Sequence, residues 1–216
     1  MITGENMAVR YKREEFYKDG LTLAKELIGA KIISSLHGET TAGIIVETEA
    51  YMGREDLAAH SARGKRDGRT RIIYGDGGYA YVHLIYGMYH CLNVVANRAE
   101  VPQCVLIRAI YPTDGLDVMK HRRKQKGIRN LCDGPGKVCM ALGVDLGCYG
   151  MDLCGEDLFI VKGTALPTAA TARINVDYAG EDALLPYRFI ATDLSSLGIE
   201  GYERDYKKML HLKERK

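Results

Sequence analysis

The 216-residue chain has no tryptophan, only three phenylalanines and five prolines, and no run of 18 apolar residues. Without such a run no transmembrane helix is available. The opening residues MITGENMAVRYKREEF lack the apolar stretch of a secretory signal, and no lipidation motif is present, so the cytoplasm is the expected compartment. No internal repeat, low-complexity tract or Pro/Ser-rich linker interrupts the sequence. A single domain over 1–216 is therefore expected, with 1–11 and about 205–216 as peripheral tails. Neither GxGxxG nor GxxxxGK[ST] occurs, which leaves a dinucleotide or Walker-type nucleotide site without support. The six cysteines, at 91, 104, 132, 139, 148 and 154, form no CxxC pair, so no metal is expected. Cys91 and Cys104 lie in the apolar runs CLNVV and CVLI, where a reduced thiol behaves as a small hydrophobe.

What is present is ordinary globular composition, 46% hydrophobic and 27% charged, enough apolar surface to bury a core that offsets chain entropy. Net charge is only +2, but the cations are clustered. His60 to Arg71 holds five Lys/Arg against one acid, and Lys120 to Arg129 holds six against none. Clustered cations suit phosphate contact because each neutralised phosphate releases condensed counterion. Either run alone also reads as a solvated surface.

Leu21, Leu23, Ala24, Leu27 and Ile28 recur at helical spacing and stop at Gly29. Two β-branched runs, 31–36 and 41–49, flank His37-Gly38-Glu39-Thr40 and read as a hairpin. Further strands are predicted at 79–86, 91–96, 104–110, 158–161, 173–177 and 187–191, with helices near 114–126 and 135–142. Short connections favour antiparallel pairing. Strands in runs with helices set apart predict an α+β fold, a curved and mainly antiparallel sheet flanked by helices.

Chemistry concentrates in two places. Glu47 and Glu49 stand two residues apart, so on an extended chain both carboxylates point to one face. A glutamate at a strand end can act as a general base if a pocket desolvates it; equally, the two could be solvent-facing alternates of an edge strand. Tyr79, Tyr81 and His83 alternate with Ala80, Val82 and Leu84. They share a sheet face that could be core or could stack bases, since tyrosine combines a flat face with a polar tip.

Three ordered segments, VETEAYMGREDLAAHS, YVHLIYGMYHCLNVV and CVLIRAIYP, followed by DGPGKVCMALGV, RINVDYAG and PYRF, closely resemble the alkyladenine (3-methyladenine) DNA glycosylase family over roughly residues 12 to 192. The resemblance implies that Glu49 is the general base that activates water against C1′, and that Arg108 helps to hold that water. It puts Tyr51 and His60 on the residues that sandwich a flipped base, with the His60 backbone reading the base edge. Asn93 falls on the residue that disfavours the exocyclic amine of guanine. Tyr86 falls on the wedge left in the duplex, with Met88 beside it. His83 stands where the family commonly has a stacking tyrosine, and is taken as a pocket-edge residue. Thr70 replaces a common asparagine. Arg63, Lys65, Arg66 and Lys137 are candidate DNA-backbone contacts.

Together these imply a monofunctional hydrolase that flips and excises alkylated purines (3-methyladenine, with 7-methylguanine, hypoxanthine and ethenoadenine as further candidates) from double-stranded DNA. No lysine adjoins the set as a Schiff-base nucleophile, no cofactor is needed, and a monomer suffices. Two other classes compete: a non-catalytic binder of damaged DNA or RNA, and a metal-dependent hydrolase built on His60, His83, His90 and the glutamates.

Overall fold

The computed structural model describes residues 9–128 and 130–199, and within them the β-branched runs pair into one eight-stranded antiparallel sheet. Its strands are β1 (Lys31–Ser34), β2 (Thr41–Tyr51), β3 (Ala80–Ile85), β4 (Tyr89–Ala96), β5 (Gln103–Asp114), β6 (Leu158–Val161), β7 (Thr168–Thr171) and β8 (Arg188–Ala191). The path runs β3-β4-β5-β2-β1-β6, with β8 joining β2 to β7. The predicted hairpin forms as β1 and β2, and the α+β class is observed. The tail beyond residue 199 lies outside the described residues.

Three α-helices are described: α1 (Gly20–Glu26), α2 (Leu116–Arg123) and α3 (Pro135–Leu142). Asp19 caps α1 by accepting from the Leu21 and Thr22 amides. Pro135 opens α3 and Gly143, in the left-handed region, closes it. The second helix, expected near 114–126, ends at Arg123 because Lys124 turns left-handed.

One prediction fails. Residues 173–177 form no strand; the strand lies at 168–171 instead. Asn175 is left-handed at φ 59, which breaks the extended run, and the Ile174 amide donates to the Glu49 side chain instead of a strand partner.

The position of β2 decides the fate of Glu47 and Glu49. On one edge, Thr41–Ile44 pairs with β1 and Glu47–Glu49 pairs with β8; on the other edge β5 runs the full length. The two glutamates are thus interior, not edge alternates. Against β5 the register slips at Val46 and slips back at Arg108, two offsetting bulges around Glu47. Bulges sharpen local twist and re-aim side chains. One face of the sheet, with Ala50, Val82, Leu92, Val94, Val105 and Ile107, joins α1 and α3 in the main apolar core.

Candidate active site

The opposite face carries the chemistry, and register alone identifies it. Directly opposed residues of an antiparallel pair project to the same side. Tyr81 opposes Asn93 and His83 opposes Cys91; Asn93 opposes Leu106; Leu106 opposes Glu49 and Cys104 opposes Tyr51. The alternation of Tyr81 and His83 with core residues therefore continues across four strands. A cavity of about 660 Å³ opens on this face, lined among others by Tyr51, His60, Tyr81, His83, Asn93 and Arg108. That volume is within the range of small-molecule sites.

Glu49 is completely buried and does not itself line the cavity; its partners do. One oxygen accepts from the Ile174 amide at 2.9 Å and lies 3.4 Å from Nη1 of Arg108, and the other accepts from the Tyr51 hydroxyl at 2.9 Å. Glu47 accepts from Nε of Arg108 at 3.1 Å and lies 3.2 Å from Nε of Arg188. Burial opposes the charge of Arg108, but Glu49 and Glu47 more than compensate and hold its pKa above the ordinary value. Arg108 thus bridges the two carboxylates, Nε on Glu47 and Nη1 towards Glu49, and Glu47 fixes the direction from which it meets Glu49. Burial and then the Glu49 carboxylate push the Tyr51 phenol well up, so it keeps its proton and serves as a hydrogen-bond donor.

The other wall is an aromatic network. Nδ1 of His60 is 2.7 Å from the Tyr81 hydroxyl, and its ring meets that of His83 edge-on at 4.7 Å. His83 in turn stacks on Tyr81 at 5.0 Å. Asn93 donates its amide to the Tyr81 carbonyl at 3.0 Å and lies 3.3 Å from Nδ1 of His83. Desolvation, then Arg69 and Lys65, brings His60 down to about 4; desolvation, then His60 and Arg69, brings His83 down to about 3. Both imidazoles are neutral at pH 7, so this wall adds no positive charge to the cavity.

Tyr86, Gly87 and Met88 form the tip joining β3 to β4. Tyr86 (φ 52) and Gly87 (φ 69) are both left-handed, which leaves Tyr86 74% and Met88 66% exposed. Tyr86 borders the cavity and Met88 does not. Arg63, Lys65 and Arg66 project from the exposed loop after His60, Lys65 3.4 Å from Asp67 and Arg66 2.9 Å from Glu100. Only Arg69 of that loop reaches the cavity. Thr70 is buried and accepts from the Asp67 amide at 2.8 Å, so it shapes the loop. Lys137 lines the rim and pairs with Asp133 at 2.6 Å.

Several contributors were not singled out by sequence. Arg173 forms a two-pronged ion pair with Asp56, at 2.5 and 2.8 Å, and donates to the Ala50 and Asp182 carbonyls. Its guanidinium lies over the Tyr51 ring at 5.0 Å. Ile174, Asn175 and Tyr178 of the following loop line the cavity, as does Arg123. The residue pairing Asp56–Arg173 spans 117 positions and leaves no local pattern; the quoted RINVDYAG segment was the available signal.

Among the described residues no helix is long and apolar enough to cross a membrane, and no three His, Cys, Asp or Glu side chains converge as a metal-ligand set. His90 opposes Leu84 and His83 opposes Cys91, so these two histidines face opposite sides of the sheet.

The family model described as Methylpurine-DNA glycosylase matches residues 14–195. A protein of Desulfitobacterium hafniense (strain Y51) is 39% identical over 201 residues, covering 88% of this chain and 99% of its own. One from Alkaliphilus oremlandii (strain OhILAs) is 40% identical over 195 residues, 86% of this chain and 96% of its own. One from Bacillus cereus (strain G9842) is 44% identical over 188 residues, 81% and 92% of the two chains. Each bears the provisional name 3-methyladenine DNA glycosylase. With a match that spans the sheet, the cavity and the loops above it, the chain belongs to the methylpurine-DNA glycosylase family.

Proposed function

We propose that the protein excises 3-methyladenine and related alkylated purines from double-stranded DNA by hydrolysing the N-glycosidic bond, as a monomer and without strand cleavage. The observation that carries this reading is a buried carboxylate, Glu49, held directly behind an aromatic-walled cavity by three residues that line it. A base stacked in a duplex shields its own sugar carbon, so the nucleotide must be extruded at a cost of a few kcal/mol, less for a damaged base. Stacking against aromatic walls returns about 1–3 kcal/mol. Departure of the base leaves oxocarbenium-like charge on the sugar, which a carboxylate stabilises while it deprotonates the attacking water. Glu47 shares Arg108 with Glu49 and also pairs with Arg188, so the two carboxylates together balance the two guanidiniums. A cationic alkylated base is already activated as a leaving group, and a wall of neutral imidazoles does not repel it.

The test is release of free base from methylated duplex DNA, followed by chromatography with EDTA present. Free base with an intact, alkali-labile strand is expected. Tight binding with no release would favour the non-catalytic binder, and release that EDTA abolishes would favour the metal-dependent reading.

Two consequences follow for the DNA-facing surface. Tyr86→Ser should lower excision from matched duplex roughly tenfold or more, the equivalent of about 1–3 kcal/mol of lost base–aromatic stacking. Fluorescence of a 2-aminopurine placed beside the lesion would report the shortened extruded state, and unchanged excision and fluorescence would remove Tyr86 from the wedge role. Neutralising Arg63, Lys65 and Arg66 together should reduce the slope of log affinity against log salt by up to about 3, since each phosphate contact contributes about 0.9. The exposed pairings of Lys65 with Asp67 and of Arg66 with Glu100 cost little to exchange for phosphates.

A further inference from the structure

Tyr51 touches both halves of the site. One face of its ring backs onto the Arg173 guanidinium and the side chain lines the cavity, while its hydroxyl donates to Glu49 at 2.9 Å. Base stacking needs only the ring. We propose that the Tyr51 phenol is a second, separable device: a positioning group that orients the Glu49 carboxylate, so that the wall against which the base lies and the group that activates water form one rigid unit. This inference rests on the glycosylase reading above.

The hydrogen-bond inventory of Glu49 supports it. A carboxylate offers about four acceptor positions. On Oε1 they face the Ile174 amide and Arg108; on Oε2 one faces Tyr51. In the glycosylase reading the second position on Oε2 is the one that a water would take. With the phenol in place, rotation of the carboxyl would sacrifice a charge-assisted hydrogen bond, which is stronger than a neutral one. Without it, Oε2 has no fixed direction. Tyr51 is itself immobilised, because Arg173 is locked by Asp56 and by two backbone carbonyls. A donor this difficult to ionise cannot compete with water as the proton source for Glu49. Its contribution is direction and stabilisation of the carboxylate.

Tyr51→Phe keeps the ring and removes the hydroxyl. In single-turnover assays on duplex carrying one methylated purine, the maximal excision rate should fall about tenfold to a hundredfold, the range for a hydrogen bond to a charged group. The half-saturating concentration, and the affinity for duplex with an abasic-site analogue, should stay within twofold of wild type. Tyr51→Ala, which also loses the ring, should lose affinity as well as rate. A Tyr51→Phe rate within twofold of wild type, or a loss of affinity that matches the loss of rate, would overturn the inference and leave the glycosylase reading intact. Absence of base release by the wild-type protein would overturn both.

Discussion

Glu49→Gln should reduce base release by about a thousandfold, within the range attributed to a positioned general base, while binding to lesion-containing duplex is retained. Glutamine preserves shape, and its carbonyl oxygen can still accept from the Ile174 amide that now meets Glu49 at 2.9 Å. What it loses is the ability to take a proton from water and the negative charge facing the sugar. The charge matters beyond the proton. Arg108 and Arg188 converge on Glu47, so removing Glu49 leaves two guanidiniums against one carboxylate, and their field would then oppose an oxocarbenium ion. The measurement is single-turnover release of radiolabelled base alongside equilibrium binding to the same duplex. Release within tenfold of wild type would remove Glu49 from the role of base.

How far this arrangement could be read from sequence depends on whether the information is local. Glu47 and Glu49 at spacing two, and Tyr81 and His83 alternating with apolar residues, were legible as same-face sets because strand periodicity is local. Whether those faces were solvent or site was not legible, since β2 becomes interior only when β1, β8 and β5 all pair with it. The segment 173–177 misled for a related reason. Ile174 and Val176 are β-branched and suggest a strand, but Asn175 is left-handed at φ 59 and the Ile174 amide points at Glu49 instead of a neighbouring strand. Local propensity loses to a tertiary hydrogen bond at the buried Glu49 carboxylate, the kind of local conflict expected at candidate functional sites. The family resemblance implied that Arg108 helps to hold the water that Glu49 activates, but was silent on the bulge at Arg108 in the β2–β5 pairing. That irregularity accompanies the turn of one guanidinium toward two carboxylates.

Arg173 anchors the cavity wall, gripping Asp56 with two nitrogens and backing the Tyr51 ring. Arg173→Ala should destabilise the protein by about 3–5 kcal/mol, the cost of leaving one partner of a buried ion pair uncompensated. For a chain of this size that corresponds to a fall in melting temperature of roughly 6–20 °C. The side chain of Arg173 is fully buried and that of Asp56 nearly so, so water cannot replace the lost donors. Asp56 would keep only the Met52 and Ala58 amides, and the Ala50 and Asp182 carbonyls would lose theirs. Lysine should not rescue, because a single ammonium cannot span both carboxylate oxygens and two carbonyls. Replacing both members of the pair, Arg173→Met with Asp56→Leu, should cost less than the sum of the single changes, since no unpaired charge remains. Activity should nevertheless stay low in the double variant, because Tyr51 has lost its backing and Ile174 its anchor, and both donate to Glu49. Thermal melts of the four proteins, with base release measured below every melting temperature, separate the two effects: recovery of stability without recovery of rate is the expected pattern, and full recovery of both would show that the pair serves the fold alone.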